Sequence, residues 1–196
     1  MEKGLIITIS GISGAGKSHL IKNILSQLEN FEKLKAITTR AKRAEEVEGV
    51  DYFFLKREEF ELLQVDNKLS VINDVFGNMY AFYNSDLKKI TNGVNLITEL
   101  YYTEVKKFKA QFPSTLSIYI LPENIAKAVE KLKTRRINSE ELQRRLKDIE
   151  KEIGHINMYA EDFDFIVSNN YTIESFTNLY TQIETKIDSL NEKIQH

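Results

Sequence analysis

Residues Gly11-Ile12-Ser13-Gly14-Ala15-Gly16-Lys17-Ser18 set three glycines, a lysine and a hydroxyl within eight positions, directly after the apolar run Leu5–Ile9 and directly before a helical pattern that begins near His19. Strand, glycine-rich turn and helix in that order constrain the architecture, because they form the opening of a parallel-strand crossover. The glycines let the backbone curl until successive N–H groups point into one concavity, and the helix adds its positive N-terminal end. That concavity is a cradle for a nucleoside triphosphate. Lys17 reaches the β- and γ-phosphates as a point charge, while the Ser18 hydroxyl is placed to sit on Mg2+.

A chain of 196 residues is long enough for one sizeable core with a small inserted subdomain, and too short for two ordinary domains. With 27 basic and 29 acidic residues the formal net charge is −2, so no global field draws the chain to nucleic acid or to a membrane surface, and neither is expected as a partner. The absence of cysteine excludes disulfides, thiolate metal sites and a thiol nucleophile, and fits a reducing cytoplasm. No apolar run approaches a membrane span and the first residues do not read as a signal peptide, so a soluble, cytoplasmic protein is expected, monomeric or homodimeric. The histidines, His19, His155 and His196, lack ligand spacing.

Apolar, β-branched runs recur between helical patterns at Leu5–Ile9, Lys35–Thr39, Val94–Thr98, Leu116–Leu121 and Phe163–Ser168. Alternating strands and helices predict an α/β fold, three layers α/β/α around a five-stranded parallel sheet. The clearest helix follows Thr172, a candidate N-cap, with Ile173, Phe176, Leu179, Tyr180, Ile183, Ile187, Leu190 and Ile194 at spacings of three and four. Two stretches break the alternation. From Tyr52 to Tyr83 the pattern is strand, short helix over Glu58–Val65, then two strands around Gly77-Asn78, which predicts a small antiparallel insert and a candidate substrate-binding subdomain. From Lys131 to Arg145 runs a basic stretch broken by the helix-start signal Asn138-Ser139-Glu140-Glu141, either a solvated helix face or an arginine-bearing helical lid. The chain thus divides into a core (1–34, 84–130 and 146–196), an insert of about 35–83 and a lid of about 131–145, all in a single domain spanning 1–196.

The segment from Thr38 to Tyr52 follows a strand and holds Thr38-Thr39-Arg40, then Arg43, Glu46 and Gly49-Val50-Asp51-Tyr52. Taken with the phosphate loop, the Gly77-Asn78-Met79-Tyr80 turn and the arginine-rich stretch, this order strongly resembles the guanylate kinase family, and the resemblance spans roughly residues 4 to 190. It implies an ATP-dependent, Mg2+-requiring kinase acting on a monophosphate acceptor. The implied ATP-binding residues are Gly11, Ser13, Gly14, Ala15, Gly16, Lys17, Ser18 and Asn169, although Asn169 is equally readable as a turn asparagine. Arg40, Arg43, Tyr52 and Tyr80 are implied to bind the acceptor phosphate, which as a dianion takes charge-assisted bonds from guanidinium forks and phenols. Glu46 would orient the arginines or contact the acceptor. Lys17, Arg135 and Arg145 are the implied catalytic residues, with Arg136 and Arg144 as rivals because this lid is one residue shorter than the family pattern.

The base-reading positions depart from that pattern. The family's glutamate falls on Val71, its serine or threonine on Phe82, the preceding glycine on Ala81, a further serine on Ala36, and its aspartate-any-aspartate on Glu99-Leu100-Tyr101. Glu99 survives as an acid for the Mg2+ shell or the acceptor. Guanine presents N1–H and 2-amino donors, so the loss of two carboxylates implies altered base specificity unless Asn73, or Asp74 or Glu104 in a shifted register, substitutes. Phe82, Tyr101 and Tyr102 either stack on a base or fill the emptied pocket. The acceptor-base candidates are therefore Val71, Asn73, Phe82, Glu99 and Tyr101. GMP or dGMP is the default acceptor by kinship; a non-catalytic binding module and a kinase of a phosphorylated sugar are the alternatives.

Overall fold

The computed structural model describes residues 4–75, 77–134, 139–170 and 172–194. The elements follow the chain as β1 (Ile6–Ser10), α1 (Lys17–Gln27), β2 (Phe31–Lys33), β3 (Ile37–Thr38), β4 (Phe53–Phe54), α2 (Arg57–Val65), β5 (Leu69–Val75), β6 (Asn78–Tyr83) and α3 (Asn84–Leu87). They continue with β7 (Asn95–Glu99), α4 (Val105–Gln111), β8 (Thr115–Pro122), α5 (Ile125–Lys133), α6 (Ser139–Tyr159), β9 (Phe165–Asn169) and α7 (Ile173–Ile194). Five of the strands form an all-parallel sheet in the order β2-β7-β1-β8-β9, the α/β/α arrangement expected. Every residue of β1 is buried, and alternate side chains part to opposite faces. Ile7 and Ile9 join α1, α5 and α7 through Leu20, Ile24, Leu132 and Ile183; Ile6 joins Leu96, Phe108, Tyr119 and Phe163 on the other face. Burial on both faces is why these strands read as continuous apolar runs rather than as alternation.

The predicted strand Lys35–Thr39 does not enter this sheet. Its place at the edge belongs to β2, paired with β7 from Phe31↔Asn95 to Lys33↔Ile97, while Ile37 and Thr38 pair with Ala81 and Tyr80 of a second sheet. The reason is packing: Ile37 is fully buried with Phe60, Leu69 and Ala81, a separate small core that draws the chain out of the main sheet. That second sheet, ordered β4-β3-β6-β5, is mixed rather than purely antiparallel, since β3 and β4 run parallel. Residues of this second sheet line one cavity with Gly11 and Leu100, just past the C-terminal ends of β1 and β7, and β1 is flanked by β7 on one side and β8 on the other, the crevice position that open α/β sheets use for ligands. Among the described residues no helix is long and apolar enough to cross a membrane.

Candidate active site

The turn after β1 is shaped by positive φ at Gly11 (142°), Gly14 (86°) and Gly16 (96°). A Cβ at Gly11 would lie 2.5 Å from the Ile120 carbonyl oxygen, and one at Gly14 would lie 2.3 Å from that of Ala128, so both space and dihedral demand glycine. Gly14→Ala is expected to displace the loop and raise the Kd for Mg·ATP by about tenfold or more, measured by calorimetry. Gly16 caps α1, whose first turn contains no acid, so the helix end keeps its positive potential. The Lys17 ammonium folds over the turn and donates to the carbonyls of Gly11 (2.7 Å) and Ile12 (3.2 Å). From beneath, buried Asn169 at the end of β9 donates to the carbonyl of Ala15 at 2.8 Å. Neither Asn169 nor Ala15 lines the cleft; Gly11, Ser13, Gly14, Gly16, Lys17 and Ser18 do.

At the foot of α1 the Ser18 hydroxyl donates to Glu99 Oε1 at 2.7 Å, which joins the loop to the end of β7. A hydroxyl and a carboxylate are hard oxygen donors of the kind Mg2+ prefers, and that ion takes its remaining ligands from phosphates and water. Among the described residues no group of three or more His, Cys, Asp or Glu could hold an ion. The Ser18 and Glu99 donor set fits an Mg2+ that arrives with a nucleotide.

Across a cavity of about 900 Å³ the connection between β3 and β4 presents Arg40, Arg43, Glu46 and Tyr52, and β6 presents Tyr80. Arg40, buried, meets Glu46 through a two-pronged contact at 3.0 and 2.7 Å, and its guanidinium lies 5.4 Å from the Tyr52 ring centroid and 5.5 Å from that of Phe54. Arg43 reaches the same carboxylate through its backbone N–H (2.8 Å) and Nη1 (3.1 Å). Burial alone would favour the neutral acid at Glu46; the bonds from Arg40 and from the Arg43 backbone, with the charges of both, outweigh it and hold the carboxyl below the ordinary range. Burial first, then the charge of Glu99, pushes the Tyr52 phenol up, so it remains a neutral donor. Tyr52 and Tyr80 meet edge to face with centroids 6.4 Å apart.

Of the lid arginines, Arg135 and Arg136 lie outside the described residues. Arg144 and Arg145 both line the cleft, but Arg145 is the buried one, at 5% exposure, and is held by Glu141 within α6. The face of α6 that carries Arg145 continues through Asp148, Ile149 and Glu152, all lining the cleft. Sequence reading missed Glu141, Asp148 and Glu152; the spacing of three, four and seven from Arg145 was the available signal. Nothing in the sequence pairs Tyr119 with Glu152, although the phenol donates to that carboxylate at 2.9 Å, and burial pushes its carboxyl up.

The wall that carries the acceptor-base candidates is largely apolar, with Val71, Ala81 and Phe82 beside Asn73. Val71 adopts φ 56° in a bulge where the β5–β6 register shifts between Ser70 and Asn73, leaving Val71 and Ile72 opposite Ala81. A β-branched residue in the left-handed region is strained. Its side chain packs with Phe82, Leu100 and Tyr102, while Ile72 points to the small core of the insert, so Val71 and Asn73 both face the cleft despite the bulge. Phe82 is 3% exposed and packs edge to face on Phe108, and Tyr102, 2% exposed, packs on Tyr159. These two fill core space and show the cleft only their margins; half-buried Tyr101 presents more. Asp74 accepts from the Gly77 N–H in the hairpin turn and Glu104 accepts from Thr103, and neither lines the cleft.

Comparison with known proteins agrees over nearly the whole length. The family model described as guanylate kinase matches residues 3–187. The guanylate kinase of Wigglesworthia glossinidia brevipalpis is 36% identical over 197 residues, covering 98% of this chain and 91% of that protein. That of Mycoplasmoides gallisepticum is 40% identical over 163 residues, 81% of this chain and 83% of the relative. Among solved structures, guanylate kinase from Anaplasma phagocytophilum superposes with a TM-score of 0.70 at 28% identity, covering 94% of this chain and 87% of that one.

Proposed function

The chain belongs to the guanylate kinase family, as a nucleoside monophosphate kinase, and from that premise we propose that it transfers the γ-phosphoryl group of Mg·ATP to a purine nucleoside monophosphate, with GMP the favoured acceptor and weak discrimination among bases. One observation carries the reading: the loop bearing Lys17 and the buried arginine–tyrosine pocket line a single cavity with room between them. The loop amides and Lys17 hold the ATP phosphates, and Arg40, Arg43, Tyr52 and Tyr80 hold the acceptor phosphate, with Glu46 orienting both guanidinium groups. Ser18 and Glu99 are the residues that would hold Mg2+, which when bound would neutralise charge on the transferring phosphates. An acceptor phosphate oxygen then bonds to the γ-phosphorus as the bond to the ADP oxygen breaks. Lys17 and Arg145 stabilise the charge spread over the moving group. Proximity and fixed charge supply most of the acceleration, because little covalent help is needed.

Base selection follows from the apolar wall. A guanine donor left without an acceptor costs about 1–3 kcal/mol, so a pocket with Val71, Phe82 and Tyr101 where the family has acid or hydroxyl groups gives up most of the usual selectivity. Asn73, facing the cleft, is the group that supplies what remains. In a coupled ADP-release assay across GMP, dGMP, IMP, AMP and ribose 5-phosphate, GMP should exceed AMP in kcat/KM by less than about a hundredfold, where a site built on base bonds reaches about 10⁴. A ratio at that higher level would remove the specificity reading, a preference for the sugar phosphate would reassign the acceptor, and no turnover on any acceptor would remove the kinase reading itself.

A further inference from the structure

We propose that Glu141 is a positioning residue for phosphoryl transfer, converging Arg145 of α6 and Arg43 of the insert on one point while leaving part of each guanidinium open to phosphate oxygens. The inference rests on the kinase reading of the cleft. Glu141 lies in the first turn of α6, 98 residues along the chain from Arg43. A single oxygen, Oε1, accepts from Arg145 Nε at 3.0 Å, from Arg145 Nη2 at 2.8 Å and from Arg43 Nε at 3.3 Å. Arg144 stands farther off, with Nη2 at 4.0 Å.

Two guanidinium groups drawn to one place repel each other, and a shared carboxylate offsets that repulsion. The side chains of Arg145, Arg43 and Glu141 are 6%, 20% and 25% exposed, so solvent screens this contact less than it would a surface pair. Which edges are used decides between a support and an obstruction. Arg145 spends Nε and Nη2 on Glu141, and its Nη1 makes no hydrogen bond among the described residues. Arg43 spends Nε on Glu141 and Nη1 on Glu46, and its Nη2 makes no hydrogen bond among the described residues. Each fork is therefore fixed along one side and open on another, as a clamp set in advance of its phosphate requires. Because the contact ties α6 to the insert, it also links the placement of the transferring-group arginine to that of the acceptor arginine.

The test is steady-state kinetics with Mg·ATP and the monophosphate the wild type uses best, on wild type, Glu141→Gln, Glu141→Asp, Arg145→Lys, Glu141→Gln with Arg145→Lys, and Glu140→Gln. Glu140 is the neighbouring exposed acid of the same turn, outside these contacts, and controls for loss of charge at the helix end. Glu141→Gln is expected to lower kcat about tenfold and raise the acceptor KM severalfold, while Mg·ATP affinity without acceptor stays within about twofold. Glu141→Asp should recover part of kcat, Glu140→Gln should match wild type, and the double variant should be no slower than Arg145→Lys alone. A wild-type or faster Glu141→Gln, equal losses at Glu140 and Glu141, or additive losses in the double variant would overturn the proposal while leaving the kinase reading intact. Absence of wild-type turnover would overturn both.

Discussion

Lys17→Ala is expected to lower kcat by about three powers of ten while the protein stays folded, a loss of the size that follows removal of one preorganised charged donor from a phosphoryl-transfer site. The structural cost is small by comparison. Among the described residues the ammonium makes two hydrogen bonds, both to carbonyls of its own loop, and each contributes about 1 kcal/mol to stability. The side chain lines the cleft rather than the core, so truncation leaves no large cavity. In the proposed reaction, what disappears is a charge beside the β- and γ-phosphates, where negative charge builds as the bond breaks. A coupled assay reads the loss in kcat, calorimetry reads the weaker binding of Mg·ATP, and a thermal melt should move by only a few degrees, about what that lost bonding implies. A variant within about tenfold of wild type would mean that the loop amides and helix end do the work unaided.

The phosphate loop was readable in the sequence because its chemistry is local. Glycine spacing, the lysine and the hydroxyl all act within eight residues, and the strand and helix around them announce themselves by period. The arginine–tyrosine pocket was less local, and its members were assigned through resemblance; geometry then put Arg40 and Arg43 on one carboxylate, Glu46. Strand membership was the weak point. Ile37 carries a β-branched, apolar signal that is correct as to strand and silent as to which sheet, because the choice was made by Phe60, Leu69 and Ala81 at distances along the chain that no window covers. β2 went unseen for the complementary reason: three residues at a sheet edge, one of them a lysine, give no period to detect.

The α6 face was legible in principle. Arg145, Asp148, Ile149 and Glu152 fall on one stripe of a 3.6-residue period, yet a stripe does not say what it faces. The contact of Glu141 with Arg43 spans 98 residues, and only the folded chain could supply it. Val71 was read as the position where the family pattern has an acid, but the bulge that holds it at φ 56° carries no turn-residue signal, since valine is among the residues least suited to that conformation.

Glu46→Gln should destabilise the protein by about 3–5 kcal/mol, because it removes one charge of a buried pair and leaves Arg40 without a counterion. The Glu46 side chain is 10% exposed and that of Arg40 8%, so water cannot easily replace what is lost. Arg40 keeps the Ala41 carbonyl, a neutral acceptor, as partial compensation. In a chain of this length such a change corresponds to a fall in Tm of roughly 10 °C. The pH dependence gives the sharper check. Glu46 has a carboxyl held below its unfolded value, so its contribution is complete above the unfolded pKa of about 4.3 and is lost as pH falls through the lower folded value. The stability gap between wild type and Glu46→Gln should therefore be flat near neutrality and close progressively in acid below about pH 4. Chemical denaturation across that range measures it, and a gap that widened in acid would mean that the glutamate is not the ionised partner the geometry assigns. In the same variant the acceptor KM should rise by at least about tenfold, since Arg40 and Arg43 lose the carboxylate that aligns them both, while Mg·ATP binding, built on the opposite wall, should hold.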